Sequence, residues 1–355
     1  MRLEDLGEFP LIARLTAGLE SRADVALGPG DDAAALDLGA DRLLLATCDA
    51  QVEGIHFLPS VASPEEIGHK ALAVNLSDIA AMGGEPLWAL VSLIAPPTLD
   101  VTALDGMYAG MRALARRYHV TLVGGNVAST PGPLTLDITL LGRVARERML
   151  TRAGALPGDR LLVTGRLGAA VAALLAFTAA PERAELPADA LSEARRAMVT
   201  PEPRVRGGMA LAATGQVGAM LDISDGLSGD LGHICERSGV GALVELAALP
   251  VDAATRALAH ALGREPLRLA LSGGDDYELL FTVRPDGVAA TLEALRTIGT
   301  AVTVIGEITS PEQGLRVREP NGDVRPLDAH GWDHLRPRDE PSNRAPTTNG
   351  EERGP

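Results

Sequence analysis

Short apolar runs alternate with segments of helical apolar spacing along most of this chain, a pattern typical of α/β proteins. Ser63 and Glu66 form the sequence signature of a capping box at the start of one helical segment. In the first half, the pattern predicts strands over 42–48, 87–95, 120–125 and 134–145, and helices over 64–82 and 101–119.

A cluster of turn residues in TRAGALPGD (151–159) indicates a break between two halves. We therefore expect two α/β domains of similar size, 1–150 and 151–335. The last residues, 336–355, contain no large apolar side chain and are predicted to be a disordered tail. In the second half, the pattern predicts strands over 160–165, 219–224, 242–249, 277–283 and 302–308, and helices over 167–180, 227–238 and 286–298.

Composition narrows the class of protein. A formal net charge of −15 and an aromatic content of 3% argue against nucleic-acid binding, which uses basic faces and stacking platforms. The longest uncharged apolar run, 167–180, is too short to span a bilayer, and the N-terminus has no secretory apolar segment. Cys48 and Cys235 lie far apart and form no disulfide or metal spacing. We expect a cytoplasmic protein that binds neither membranes nor nucleic acids.

Five aspartate clusters among small residues are the candidate chemistry. Carboxylates on such turns are hard oxygen ligands for Mg²⁺, and bare glycine backbone leaves room for a phosphate. Any one cluster alone is more often a turn or a helix cap. Together they favour a site where several Mg²⁺ ions hold a nucleotide. The clusters are GPGDDAA (28–34), TCDAQVEGIHF (47–57), NLSDIAAMGG (75–84), LDISDGL (221–227) and SGGDDYEL (272–279).

These aspartates fall where elements are predicted to end. Asp49 follows a strand, and Asn75 and Asp78 share one face of a helix. Asp222 and Asp225 straddle a strand-to-helix turn, where free backbone N–H groups can also meet a phosphate. At Asp225 a simple N-cap explains the residue equally well.

Lysine is nearly absent, which restricts how the chain could bind phosphate. Lys70 is its only lysine and lies in EEIGHKALAV, a predicted helix without a glycine loop. Neither a P-loop nor the protein-kinase motifs are present. We expect Lys70 to be a solvated helix residue, so that phosphoryl transfer would depend on Mg²⁺ and arginine.

An ordered set of motifs from 7 to 335 resembles the thiamine-monophosphate kinases: GDDAA, DAQVEGIHF, HKALAVNLSDIAAMGGEP, LVGGN, TRAGALPGD, DISDGLSGDLGHI, SGGDDYELLFT and HGWDHL. The resemblance implies the two-domain fold of the aminoimidazole ribonucleotide synthetase superfamily. The N-terminal domain would bind ATP and Mg²⁺ and form a homodimer through its strands. It also implies ATP-dependent, Mg²⁺-assisted in-line phosphorylation of thiamine monophosphate to thiamine diphosphate, the last step of thiamine diphosphate biosynthesis.

The resemblance further implies three sets of site residues. Arg152 offers a fork for phosphate oxygens, Trp332 could stack on a cationic ring and Asp275 could balance the thiazolium charge. A surface charge, a hydrophobic plug and, for His56, a structural turn remain the alternatives. The implied Mg²⁺ ligands are Asp32, Thr47, Cys48, Asp49, Asp78, Asn126, Asp222 and Asp225; the ATP contacts are Gly125, Asn126, Arg152 and Ser224; the thiamine monophosphate contacts are His56, Asp275 and Trp332.

Three positions depart from the family pattern: Asn126 replaces an Asp, Cys48 replaces a Thr or Ser, and Asp275 replaces a Glu. The Asn126 departure motivates one alternative function, a non-catalytic nucleotide-binding paralogue. The simplest structural role of Asn126 would be that of an αL turn residue. Another ATP-dependent enzyme of the superfamily is the second alternative. Two such enzyme types use a reactive terminal cysteine, which the positions of the two cysteines do not match.

Overall fold

The computed structural model describes residues 8–17, 22–39, 41–179 and 186–328. Residues 22–328 belong to one compact unit, and the N-terminal helix belongs to another. The helices are α1 (Glu8–Thr16), α2 (Pro64–Ala81), α3 (Val101–Arg117), α4 (Ala169–Ala179), α5 (Ala188–Val199), α6 (Val205–Thr214), α7 (Leu227–Ser238), α8 (Ala253–Ala261), α9 (Pro266–Ser272) and α10 (Val288–Thr297). The strands are β1 (Val25–Leu27), β2 (Ala34–Asp37), β3 (Arg42–Val52), β4 (Glu85–Ala95), β5 (Thr121–Ser129), β6 (Thr135–Ala145), β7 (Arg160–Thr164), β8 (Val217–Asp222), β9 (Gly241–Glu245), β10 (Leu279–Val283), β11 (Val302–Thr309), β12 (Leu315–Arg318) and β13 (Val324–Pro326).

The first half forms a six-stranded sheet in the order β1-β2-β3-β6-β4-β5, antiparallel except for the β4–β5 pair. One face carries alternate buried residues of β6, Leu136, Ile138 and Leu140, and it meets helix α2. The strands β4 and β5 also expose apolar side chains: Trp88, Leu90, Val123 and Val127.

The second half forms a seven-stranded mixed sheet in the order β13-β12-β9-β11-β7-β10-β8. The strands β7, β8 and β10 are buried along most of their length, and β8 is covered by helices α6 and α7 and by α2 of the first half. One apolar core includes residues of both halves, such as Leu45 and Phe281. The division at 150/151 therefore remains a prediction.

Helix α2 is buried on nearly every side, because it contacts α3, α6, β3, β6 and β8. Ser63 and Glu66 close the predicted capping box at its start. The helix nevertheless carries Lys70, Asn75 and Ser77 as buried polar residues. Since a buried polar group without a partner is costly, each of these side chains must find one in a neighbouring segment.

Most predicted elements are confirmed within a few residues, and the helix predicted over 227–238 is α7 itself. The strand predicted over 242–249 is wrong beyond Glu245, because the chain turns into a 3-10 helix at Leu246–Ala248. The sequence pattern missed several elements, among them α5, α6, α8 and α9. The predicted tail and Trp332 lie outside the described residues.

Helices α2 and α6 approach so closely that only glycine fits at one position. A Cβ atom on Gly208 would lie 2.0 Å from the carbonyl oxygen of Ala80. The preceding residue, Gly207, has room, since its Cβ would meet nothing nearer than 3.7 Å. Gly208 thus sets the distance between a helix of each half.

We expect Gly208→Ala to lower the free energy of unfolding by about 1–3 kcal/mol, because overpacking against backbone forces the two helices apart. Gly207→Ala is the matched control and should be neutral or stabilising by up to about 1 kcal/mol, since alanine favours helix. Urea unfolding of both variants measures the difference. Equal stabilities would contradict this close helix contact.

Candidate functional site

Three aspartates from distant parts of the chain meet at one point. Each of Asp32, Asp78 and Asp222 offers one carboxylate oxygen, and these oxygens lie within 4.8 Å of one another. Asp32 precedes β2 in a glycine-rich loop, Asp78 lies in the last turns of α2, and Asp222 ends β8. We call these three residues the carboxylate cluster.

Hydroxyl groups and an arginine orient the cluster. Thr47 Oγ1 on β3 donates to Asp78 Oδ2 at 2.6 Å, and Ser77 Oγ on α2 donates to Asp222 Oδ2 at 2.5 Å. Arg152 Nη2 donates to Asp32 Oδ1 at 2.6 Å. Loop, helix and strands are thereby fixed to one another at the cluster.

The carboxylates of the cluster repel one another, and their pKa values are raised. Burial and then the neighbouring Asp32 raise the pKa of Asp222 to about 7. Burial, together with the charges of Asp49, Asp222 and Asp32, raises the pKa of Asp78 well above its usual range. Burial also raises the pKa of Asp32, although Arg152 opposes the shift. The negative charge of these carboxylates exceeds the single positive charge of Arg152, and this excess favours a bound cation.

Two buried polar atoms indicate where a ligand fits. Asp32 Oδ2 and Arg152 Nε have no hydrogen-bond partner within the described part of the protein. The carboxylate oxygen can coordinate a cation, and the guanidinium N–H can donate to an anion. The two groups belong to the same ion pair. The pairing suits a metal ion that carries a phosphate. Opposite oxygen ligands of Mg²⁺ lie about 4.2 Å apart, so carboxylate oxygens within 4.8 Å of one another could converge on this ion with a small movement.

Residues of β3 next to the cluster divide between the two faces of the sheet. The Asp49 backbone N–H donates to Asn75 Oδ1 on α2 at 3.2 Å. The Cys48 thiol, by contrast, is exposed and lies 2.9 Å from a carboxylate oxygen of Asp137 on β6. Alternation along the strand therefore directs Thr47 towards the cluster and the Cys48 side chain to the other face.

The turn after β8 places Ser224 and Asp225 at the start of α7. The N-cap of α7 is Gly226 and receives no side-chain cap, so the N-cap interpretation of Asp225 is wrong. Instead the Asp225 backbone N–H donates to the buried Asp230 at 3.2 Å. The Ser224 carbonyl accepts from the Asp275 backbone N–H at 2.8 Å, which joins this turn to the predicted substrate loop.

Lys70 is buried, contrary to the expectation of a solvated residue. Its Nζ donates to Asp275 Oδ2 at 2.7 Å and to the His56 carbonyl at 3.0 Å. Burial raises the pKa of Asp275, but the charge and hydrogen bond of Lys70 and the hydrogen bond from the Tyr277 hydroxyl outweigh it and lower that pKa. The helical pattern could not distinguish a buried face from a solvated one on a helix that is buried all round.

Two predicted site residues, Gly125 and Asn126, lie far from β3 and the carboxylate cluster. Both belong to β5, whose register aligns Asn126 with Ser92 on β4, then with Asp137 on β6 and Ala50 on β3. Three strand spacings place Asn126 about 14 Å from β3. The αL turn interpretation is wrong, because Asn126 lies within a strand and the positive φ angles belong to Gly124 and Gly125.

Close backbone packing explains the glycine at position 125. A Cβ atom there would lie 1.8 Å from the Val91 carbonyl oxygen on β4.

Among the described residues, no helix is long and apolar enough to cross a membrane.

Comparisons with known proteins give the fold a family. Residues 30–144 match the N-terminal domain of AIR synthase related proteins, and residues 157–318 match their C-terminal domain. A hydrogenase maturation protein, HypE in complex with ATP, shares the fold at 23% identity and a TM-score of 0.68 over 92% of this chain and 97% of its own.

Thiamine-monophosphate kinases are more similar. The enzyme of Escherichia coli K12 is 40% identical over 333 residues, covering 93% of this chain and 98% of its own. That of Bacillus subtilis is 33% identical over 333 residues, with 93% and 100% covered. The structure of AaThiL complexed with AMPPCP and TMP has a TM-score of 0.81 at 33% identity, covering 94% of this chain and 99% of its own. The chain belongs to the thiamine-monophosphate kinase family of AIR synthase related proteins.

Proposed function

We propose that this protein transfers the γ-phosphoryl group of ATP to thiamine monophosphate and so produces thiamine diphosphate and ADP. The carboxylate cluster with its buried, partly unpartnered ion pair to Arg152 carries the proposal. A relative that spans nearly the whole fold was solved with AMPPCP and TMP, a nucleotide analogue and the second substrate class.

The chain's own residues would bind and orient the two polyanions. Asp32, Asp78 and Asp222, with Asp49 and Asp225 beside them, would hold Mg²⁺, which neutralises phosphate charge when bound. Arg152 would contact phosphate oxygens through its unpartnered Nε. The turn at Ser224 and the N-terminus of α7 would receive the nucleotide.

The transfer needs no covalent intermediate with the protein. A phosphate oxygen of thiamine monophosphate would attack the γ-phosphorus while the bond to the β-phosphate oxygen breaks and ADP leaves. Because the attacking dianion is already nucleophilic, no general base is required. His56 and Asp275 lie together, since the Lys70 ammonium contacts both segments, and they would contact the thiamine end.

We also propose a homodimer in which the partner supplies Gly125 and Asn126. Within one copy these residues lie three strands from β3, too far to complete its site. Strand β5 ends its sheet and exposes Val123 and Val127, and such an edge pairs readily with a second chain. The protein would be a cytoplasmic enzyme.

Incubating the protein with ATP, Mg²⁺ and thiamine monophosphate should yield thiamine diphosphate and ADP in equal amounts. Asp222→Asn should lower kcat at least about a hundredfold, because it removes charge from a hard-cation ligand without changing volume. The exposed Asp323→Asn on a distant turn is the control and should keep full activity. A protein that binds ATP without forming product would be a non-catalytic paralogue.

The metal-free protein should become less stable as the pH rises from about 4 to about 7. The pKa values of Asp222 and Asp31 are raised to about 7 and about 6, so the folded state binds more protons than the unfolded state in this window. Between its unfolded pKa of 3.8 and its folded pKa, each such group lowers the free energy of unfolding by at most about 1.4 kcal/mol per pH unit.

Urea unfolding in EDTA at several pH values measures this slope. Asp222→Asn should flatten it, and saturating Mg²⁺ should stabilise the protein most at the high end. Stability that rises with pH in EDTA would contradict the repulsion between the carboxylates.

Mixing two inactive variants should restore activity if the partner supplies Asn126. In randomly exchanged dimers of Asp222→Asn and Asn126→Ala chains, half are mixed and each mixed dimer has one intact site, which predicts about a quarter of wild-type activity. Each variant refolded alone is the control. A mixture as inactive as its components would exclude the contribution of the partner.

A further inference from the structure

The chain's only lysine is used in the interior rather than on the surface. The Lys70 side chain is 5% exposed, and its ammonium donates to the Asp275 carboxylate and to the His56 carbonyl. A buried ammonium is tolerated only when it is paired and hydrogen-bonded. These two bonds therefore hold two segments against helix α2.

The loop that carries Asp275 depends on such restraint. Asp275 and Tyr277 have φ angles of 66° and 50°, a left-handed conformation that aspartate tolerates but that a bulky residue such as tyrosine adopts only when its surroundings enforce it. The Tyr277 hydroxyl donates to Asp275 Oδ1 at 2.8 Å, while Lys70 holds Oδ2. Both carboxylate oxygens are thus fixed, although 36% of the Asp275 side chain remains exposed.

The turn that carries His56 is defined by the same ammonium. Its carbonyl accepts from Lys70, and its Nδ1 accepts from the Val52 backbone N–H at 3.0 Å. A neutral imidazole that accepts at Nδ1 carries its proton at Nε2. The ring donor is therefore Nε2–H, and the bond from Lys70 to the carbonyl of the same residue ties its position to that of Asp275.

We propose that Lys70 is a positioning residue for thiamine monophosphate. Lys70 fixes His56 and Asp275 to helix α2 and hence relative to the carboxylate cluster. The inference rests on the proposed function of the same site. Lys70 is too buried to contact substrate itself. Because its charge already offsets that of Asp275, this carboxylate acts as an oriented acceptor and not as a free counter-charge for the thiazolium ring.

Kinetics of Lys70→Met separate positioning from general stability. We expect the KM for thiamine monophosphate to rise about tenfold and the KM for ATP to change less than about twofold. Lys70→Arg, which keeps the charge, should recover part of the affinity. Because Lys70 and Asp275 act together, the double variant Lys70→Met/Asp275→Asn should lose less affinity for thiamine monophosphate than the sum of the losses in the two single variants.

Arg195→Met provides the matched control, because it removes another partly buried bond to helix α2. Arg195 lies on α5 and donates to Glu66 at the start of α2 and to the Val61 carbonyl, not to His56 or Asp275. It should lower stability and leave both KM values unchanged. Equal changes in the two KM values of Lys70→Met, or no change in either, would overturn the positioning role.

A second measurement needs no variant. Lysine labelled with ¹⁵N at Nζ gives one ammonium resonance, since the chain has one lysine. This resonance should shift on titration with thiamine monophosphate alone and saturate with its binding curve. A resonance that stays fixed at saturation would overturn the proposal. Because the titration requires binding and not turnover, it stays decisive if the protein forms no thiamine diphosphate, a result that would refute only the proposed reaction.

Discussion

The structure depends on satisfying the polar side chains of one buried helix. Helix α2 contacts both sheets, yet it carries Lys70, Asn75, Ser77 and Asp78 in its interior positions. Each of these side chains would be costly without a partner. Their partners are Asp275, Asp49, Asp222 and Thr47, which come from both halves of the chain. Folding the helix into the core therefore also assembles the site.

The same arrangement leaves the free protein with an electrostatic conflict. The carboxylate cluster is held together by hydroxyl donors and by Arg152, but burial and mutual repulsion raise the pKa values of its members. In the proposed complex, a cation with a phosphate ligand would resolve this conflict, since it would supply positive charge to Asp32 Oδ2 and an acceptor to Arg152 Nε. Under the proposed function, the repulsion that lowers the stability of the free protein would raise its affinity for a metal-bound nucleotide.

Much of the fold and site could be predicted from sequence, because the signals were local. The capping box at Ser63 and the strand-to-helix turn at Asp222–Asp225 are local features, and the motifs occur in family order. The burial of Lys70 could not be predicted, since it depends on packing of α2 from all sides. The position of Asn126 depends on strand order, which the pattern along one chain does not contain.

Diffraction from crystals grown with Mn²⁺ in place of Mg²⁺, an ATP analogue and thiamine monophosphate would locate the cation directly. We expect an anomalous peak bound by oxygens of Asp32, Asp78 and Asp222, with Arg152 on the phosphate that shares the ion. A complex with the nucleotide bound and no anomalous peak at these three carboxylates would contradict this expectation.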